Sequence, residues 1–165
     1  ADLLLKFDKV LGLDMKNAEN YLLEFKHEES EELPEEIKLN NVRILLAEDN
    51  MLNAEIAMTL LADANAYVEL APDGEKALSM LKRATDGYYD LIIMDIQMPH
   101  MNGYEATKNI RGLPDGRCRI PIIAMTANAF EEDRKRAIES GMNGYVTKPI
   151  KIEELISTIK KILKS

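Results

Sequence analysis

One cysteine, two histidines and no long apolar run leave this chain without the means for several common chemistries. Cys118 lies between Arg117 and Arg119, so it has no internal disulfide partner and no neighbouring metal ligand. Zinc favours His and Cys donors, and none cluster here. No stretch approaches the roughly 20 apolar residues that span a bilayer, and Leu3-Leu4-Leu5 is too short for a signal-peptide core. A cytoplasmic location without membrane contact is expected for this stretch, with room for an anchor elsewhere in a parent chain. Basic residues number 21 against 29 acidic, for a net charge of -8, and form no arm that could release counterions from a phosphate backbone. Nucleic acid is therefore not an expected partner. No Gly-x-Gly-x-x-Gly loop follows an apolar run, which argues against a dinucleotide or flavin site.

The charge is unevenly placed. Residues 1–41 carry 11 acidic and 5 basic side chains, whereas residues 42–165 carry 18 and 16. The balanced part reads as one folded domain, 42–165, and the acidic part as an appendage, 1–41. Within the appendage, Ala18, Tyr21, Leu22 and Phe25 have helical spacing after a cap at Asp14, and the run Glu28 to Glu36 is acidic and broken by Pro34. A helical remnant followed by a solvated linker is expected. Phe7-Asp8-Lys9-Val10-Leu11-Gly12-Leu13 and Leu33-Pro34-Glu35-Glu36-Ile37 resemble, over few residues and no catalytic motif, a helical region of cysteinyl-transfer-RNA synthetases. Beginning at Ala1 rather than Met, the chain is expected to be a piece of a longer one, with processing of a natural terminus as the alternative.

From Val42 onward, short β-type runs alternate with helix-period segments. Strands are expected near 42–47, 66–71, 90–95, 120–125 and 143–147, each followed by a helix, which gives an α/β doubly wound parallel sheet. Asp73, Asn102 and Gly141 punctuate the helices, and Pro121 sits at a strand start, where a missing N–H is tolerable. The last helix is the clearest: Ile152, Leu155, Ile156, Ile159, Ile162 and Leu163 share one face.

Four of the apolar runs end on reactive polar residues: Glu48-Asp49, Asp95, Thr126 and Lys148-Pro149. Ligands of open α/β sheets bind beyond the carboxyl ends of the strands, so these endings are expected to converge. Three carboxylates together resist ionisation, and a divalent cation removes that penalty. Magnesium suits an oxygen-only donor set that also receives a phosphate. Asp95, alone at the tip of the most apolar run, is then the expected nucleophile toward a phosphoryl group, with Lys148 and Thr126 stabilising the phosphoryl oxygens.

Glu48-Asp49-Asn50, Met94-Asp95-Ile96-Gln97-Met98-Pro99, Met125-Thr126-Ala127 and Lys148-Pro149 resemble, in order and spacing, the receiver domain of bacterial response regulators. The resemblance covers roughly residues 42–164 and implies a flavodoxin-like five-stranded sheet of order 2-1-3-4-5. It implies phosphorylation of Asp95 and Mg²⁺ bound by Asp49, Asp95 and the backbone carbonyl of Gln97, with Glu48 acting through water. Thr126 and Tyr145 are implied as switch residues, Gln97 and Asn128 as positions that tune dephosphorylation, and Lys148-Pro149 as a cis bond. The implied partner is a histidine kinase or a histidine phosphotransfer domain, and homodimerisation is left open. The stretch Leu46 to Asn53 is most like receivers at the C-terminal end of hybrid histidine kinases; a single-domain response regulator is the alternative.

Ordinary explanations exist for each residue taken singly. Asp49 with Asn50 could cap a helix, Thr126 could end a strand, Lys148 could be a surface charge, and Tyr145 could be a plain sheet residue. Their joint placement at successive strand ends argues otherwise. His27-Glu28 lacks the Arg and Pro of a sensor-kinase phosphorylation motif and reads as solvated, as does His100. A haloacid-dehalogenase-type phosphatase would place a second Asp where Gln97 stands. A phosphorylation-independent interaction module would be expected to lack the acceptor or the lysine, and both are present.

Overall fold

The computed structural model describes residues 34, 35, 38–128 and 130–164. The helix expected after Asp14, His27 and nearly all of the acidic run lie outside the described residues, as does most of the synthetase-like stretch. Five βα units follow in order: β1 (Arg43–Ala47), α1 (Met51–Asp63), β2 (Tyr67–Ala71), α2 (Gly74–Arg83), β3 (Leu91–Asp95), α3 (Gly103–Arg111), β4 (Ile122–Thr126), α4 (Glu131–Ser140), β5 (Gly144–Thr147) and α5 (Ile152–Leu163). All strand pairs are parallel and the order is β2-β1-β3-β4-β5, the flavodoxin-like arrangement.

The central strands are continuous apolar runs because both of their faces are covered. Alternation along each strand sends Leu45, Ile92, Met94, Ile122 and Ala124 to a core shared with Ala77, Leu81, Ala106, Ile110 and Ala137. Ile44, Leu46, Leu91, Ile93, Ile123, Met125 and Val146 go to the other face, against Ala57 and Leu61 of α1 and Leu155, Ile156 and Ile159 of α5. Burying each such Leu or Ile contributes about 1.5–3 kcal/mol. Leu39 joins this second core, and its N–H donates to the Ala64 carbonyl at 2.6 Å, tying the approach to β1 onto the end of α1.

Caps set the helix starts. Asn50, Asp73 and Asn102 accept from the backbone N–H of Asn53, Lys76 and Glu105 at 3.0, 2.7 and 2.9 Å. The fourth helix begins at Glu131 with no side-chain cap; Glu131, Glu132 and Asp133 complement its dipole instead. It ends at Gly141, whose φ of 106° is the left-handed conformation that glycine adopts without penalty. The fourth strand starts later than expected, because a 3-10 turn at Gly116–Arg119 occupies its approach. No helix among the described residues is long and apolar enough to cross a membrane.

Candidate functional site

Parallel register carries the strand ends to one edge. Ala47 pairs with Met94, and Thr126 with Thr147, so the residues that follow leave the sheet side by side. The ladder runs one residue further: the N–H of Glu48 donates to the Ala71 carbonyl at 3.0 Å, and that of Lys148 to the Thr126 carbonyl at 2.7 Å. Glu48, Asp95 and Lys148 stand two residues after Leu46, Ile93 and Val146, on the same side of the sheet by strand alternation.

The three side chains meet. Lys148 Nζ lies 2.9 Å from Glu48 Oε2 and 3.4 Å from Asp95 Oδ2. Glu48, Asp49 and Asp95 each bring a carboxylate oxygen within 4.8 Å of the others. Glu48 and Asp95 are only 1% and 4% exposed, whereas Asp49 faces solvent. Asn50 rather than Asp49 caps α1, which leaves the Asp49 carboxylate outside that role. Burial, and next the Glu48 charge, push the Asp95 carboxyl up to about 7 from 3.8; Lys148 opposes them but does not cancel them.

This donor set fits a hard divalent cation. It is made of oxygens alone. Glu48 Oε1 accepts from the Asn50 N–H at 3.1 Å, while the buried Oε2 has no hydrogen-bond partner, its contact with Lys148 being an ion pair. Two buried carboxylates that share one ammonium, one of them resisting ionisation, are the condition a cation relieves.

An adjoining pocket of about 560 Å³ is lined by Asp49, Gln97, Thr126 and Asn128 on the side of the carboxylates. Thr126 Oγ1 accepts from the Asn128 N–H at 3.2 Å, and the Tyr145 hydroxyl donates to the Asn128 carbonyl. Tyr145 is half-buried, and burial, followed by Asp133, raises its pKa. The Lys148-Pro149 bond is cis, as the resemblance implied. Cys118 lies at the other end of β4, and His100 is exposed.

Sequence reasoning missed two features. Gly103 brings the start of α3 against the end of β3: its N–H donates to the Ile96 carbonyl at 2.8 Å, and a Cβ there would lie 2.5 Å from the Asp95 carbonyl oxygen. The only trace in the sequence was its place after the Asn102 cap. Tyr104 and Arg136, far apart in the chain, meet at the opposite wall of the pocket, and no local pattern announces that meeting.

Known proteins are similar to this chain over most of its described length. A probable histidine kinase from Oryza sativa subsp. indica is 38% identical over 143 residues, which is 79% of this chain but only 14% of that protein. The receiver domain of a sensor histidine kinase from Pseudomonas aeruginosa PAO1, solved with magnesium ion coordinated in the active-site cleft, superposes with a TM-score of 0.68. It is 39% identical and covers 76% of this chain and 99% of that one. A Saccharomyces cerevisiae response-regulator receiver domain, co-crystallised with a histidine phosphotransfer signaling protein, gives a TM-score of 0.63 and 31% identity, covering 74% and 87%. Residues 44–160 match the response regulator receiver domain family. Strand order, clustered acidic ends and this match together establish that the chain belongs to that family, the receiver domains of two-component signalling.

Proposed function

We propose that Asp95 accepts a phosphoryl group from a phosphohistidine donor and that the modified domain switches a protein-interaction face. The observation that carries this reading is the meeting of Glu48, Asp49 and Asp95 within 4.8 Å, with Lys148 3.4 Å from Asp95. A nucleophile, a cation-binding set and a compact positive charge then stand together at one sheet edge, and phosphoryl transfer needs mainly such positioning and charge stabilisation.

Asp49, Asp95 and the Gln97 carbonyl would hold Mg²⁺, with Glu48 supporting it through water. When bound, the ion supplies charge neutralisation at the carboxylates and the phosphoryl oxygens. The Asp95 carboxylate attacks phosphorus, and the bond from phosphorus to the donor nitrogen breaks with its electron pair staying on a ring already protonated at its other nitrogen, which leaves as neutral imidazole. Lys148 and Thr126 then hold the phosphoryl oxygens by charge-assisted hydrogen bonds. Thr126 also anchors the Asn128 N–H, and Tyr145 the Asn128 carbonyl, so movement of Thr126 is passed to the loop before α4 and to Tyr145. Gln97 and Asn128, exposed at the pocket, govern how readily water reaches the phosphoryl group.

The partner is a histidine kinase or a histidine phosphotransfer domain, as a phosphohistidine source requires. The parent is read as a hybrid histidine kinase, because matched relatives carry a similar segment within a histidine kinase. The site is tested by incubating the protein with acetyl phosphate and Mg²⁺ and measuring intact mass. The protein is expected to gain one phosphate and Asp95→Asn none; equal labelling of Asp95→Asn would overturn the assignment.

A further inference from the structure

The pocket beside the carboxylates is roomier than a phosphoryl group requires, and its far wall carries a cation with no task in the mechanism above. It is open to solvent, with a volume of about 560 Å³. It runs from Asp49 and Thr126 to Tyr104 on α3 and to Asp133 and Arg136 on α4, and Arg136 is the one cation among the described residues that line it. Tyr104 is buried, and the Arg136 guanidinium carbon lies 4.3 Å from the centroid of its ring. That contact holds the guanidinium at the pocket wall through the face of the ring and leaves its planar fork of donors available. Arg136 forms no ion pair among the described residues, whereas Lys148 is engaged by Glu48 and Asp95.

We infer that Arg136 determines which small phosphodonors the site favours, by pairing with negative charge that develops on an anionic leaving group. The inference rests on the phosphoacceptor reading of Asp95. With an acyl phosphate, an Asp95 carboxylate oxygen bonds to phosphorus, and the bond from phosphorus to the acyl oxygen breaks. The electron pair departs with that oxygen, and the product is a free carboxylate. A guanidinium matches a carboxylate in charge and in planar geometry, and it acts most strongly where charge is still developing. With phosphoramidate, whose nitrogen is already protonated, the P–N bond breaks and neutral ammonia leaves. Arg136 has nothing to pair with there, and the same holds for the neutral imidazole released by a phosphohistidine. Arg136 therefore favours acyl phosphates without favouring a phosphohistidine partner.

The two small donors deliver the same phosphoryl group, so comparing them isolates the charge of the leaving group. Phosphorylation rate constants are measured by intact mass, with Mg²⁺ present, for the unmodified protein, Arg136→Ala and Arg136→Lys. Arg136 is exposed, and the thermal midpoints of the variants check that they fold. Arg136→Ala is expected to slow transfer from acetyl phosphate on the order of tenfold while changing transfer from phosphoramidate less than about twofold. Arg136→Lys is expected to recover part of the acetyl phosphate rate. If Arg136→Ala slows both donors alike, or neither, the inference is overturned while Asp95 keeps its role. If the unmodified protein takes phosphate from neither donor, the phosphoacceptor reading fails and this inference falls with it.

Discussion

The Lys148 ammonium lies 2.9 Å from Glu48 Oε2, a buried oxygen with no hydrogen-bond partner of its own. The same ammonium stands 3.4 Å from Asp95 Oδ2, so two buried carboxylates share one cation. Their charge is left uncompensated by about one unit whenever both ionise. That shortfall opposes folding of the metal-free protein where both are ionised.

Asp95→Asn is therefore expected to stabilise the metal-free fold at pH 8 by about 1–3 kcal/mol while removing the phosphoacceptor. Folding raises the Asp95 pKa from 3.8 to about 7, so the folded protein holds this proton more tightly than the unfolded chain does. The favourable contribution is complete below about pH 4 and is lost as the pH climbs to about 7. Urea denaturation of both proteins from pH 4 to pH 8 is the measurement. Their difference should open across that interval and level off above it; a constant difference would show that Asp95 ionises normally.

Lys148→Ala takes away the shared cation. In metal-free buffer at pH 8 the variant is expected to lose about 1–3 kcal/mol, and less below about pH 6, where a proton on Asp95 already relieves the crowding. A loss independent of pH would mean that Lys148 acts through packing of its stem. Phosphorylation-dependent binding to a phosphotransfer partner, followed by titration, should also weaken, because the phosphoryl oxygens lose their fixed positive charge.

These residues were legible in the sequence because each ends an apolar run. The five strands follow from hydrophobic patterning, and once they are parallel their ends must share an edge. What local pattern could not supply was contact between distant segments. Arg111 donates to the carbonyls of Gly141, Cys118 and Ile120 and to Asn143 Oδ1, joining the ends of several elements opposite the site, yet in the sequence it is one more charge closing a helix. Tyr104 and Arg136 were hidden for the same reason.

Gly103→Ala tests the packing that sets the carboxylates in place. A Cβ at this position would lie 2.5 Å from the Asp95 carbonyl oxygen and 2.9 Å from Ile96 Cα, and backbone cannot yield as a flexible side chain can. Destabilisation of about 1–3 kcal/mol is expected from thermal or urea unfolding, together with weaker Mg²⁺ binding as the β3–α3 loop shifts. Unchanged stability and affinity would mean that the loop accommodates a methyl group without moving the site.

Glu48 and Asp49 are neighbours in sequence, yet they should fail in opposite ways. Asp49 is exposed and does not cap α1, so Asp49→Ala is expected to leave metal-free stability within about 0.5 kcal/mol of the unmodified protein. The cost should fall on the cation: added Mg²⁺ stabilises a folded binder by about 2.7 kcal/mol at 100 times its dissociation constant, and this variant should need far more Mg²⁺ for the same gain. Glu48 is buried, accepts from the Asn50 N–H and is the nearer partner of Lys148. Glu48→Gln keeps the shape but removes one of the two crowded charges, so the Asp95 pKa should fall and Asp95 should ionise more readily without metal. Mg²⁺-dependent thermal shifts, with the pH dependence of unfolding, separate the two effects. If Asp49→Ala kept the full Mg²⁺ response, Asp49 would have no place among the ligands.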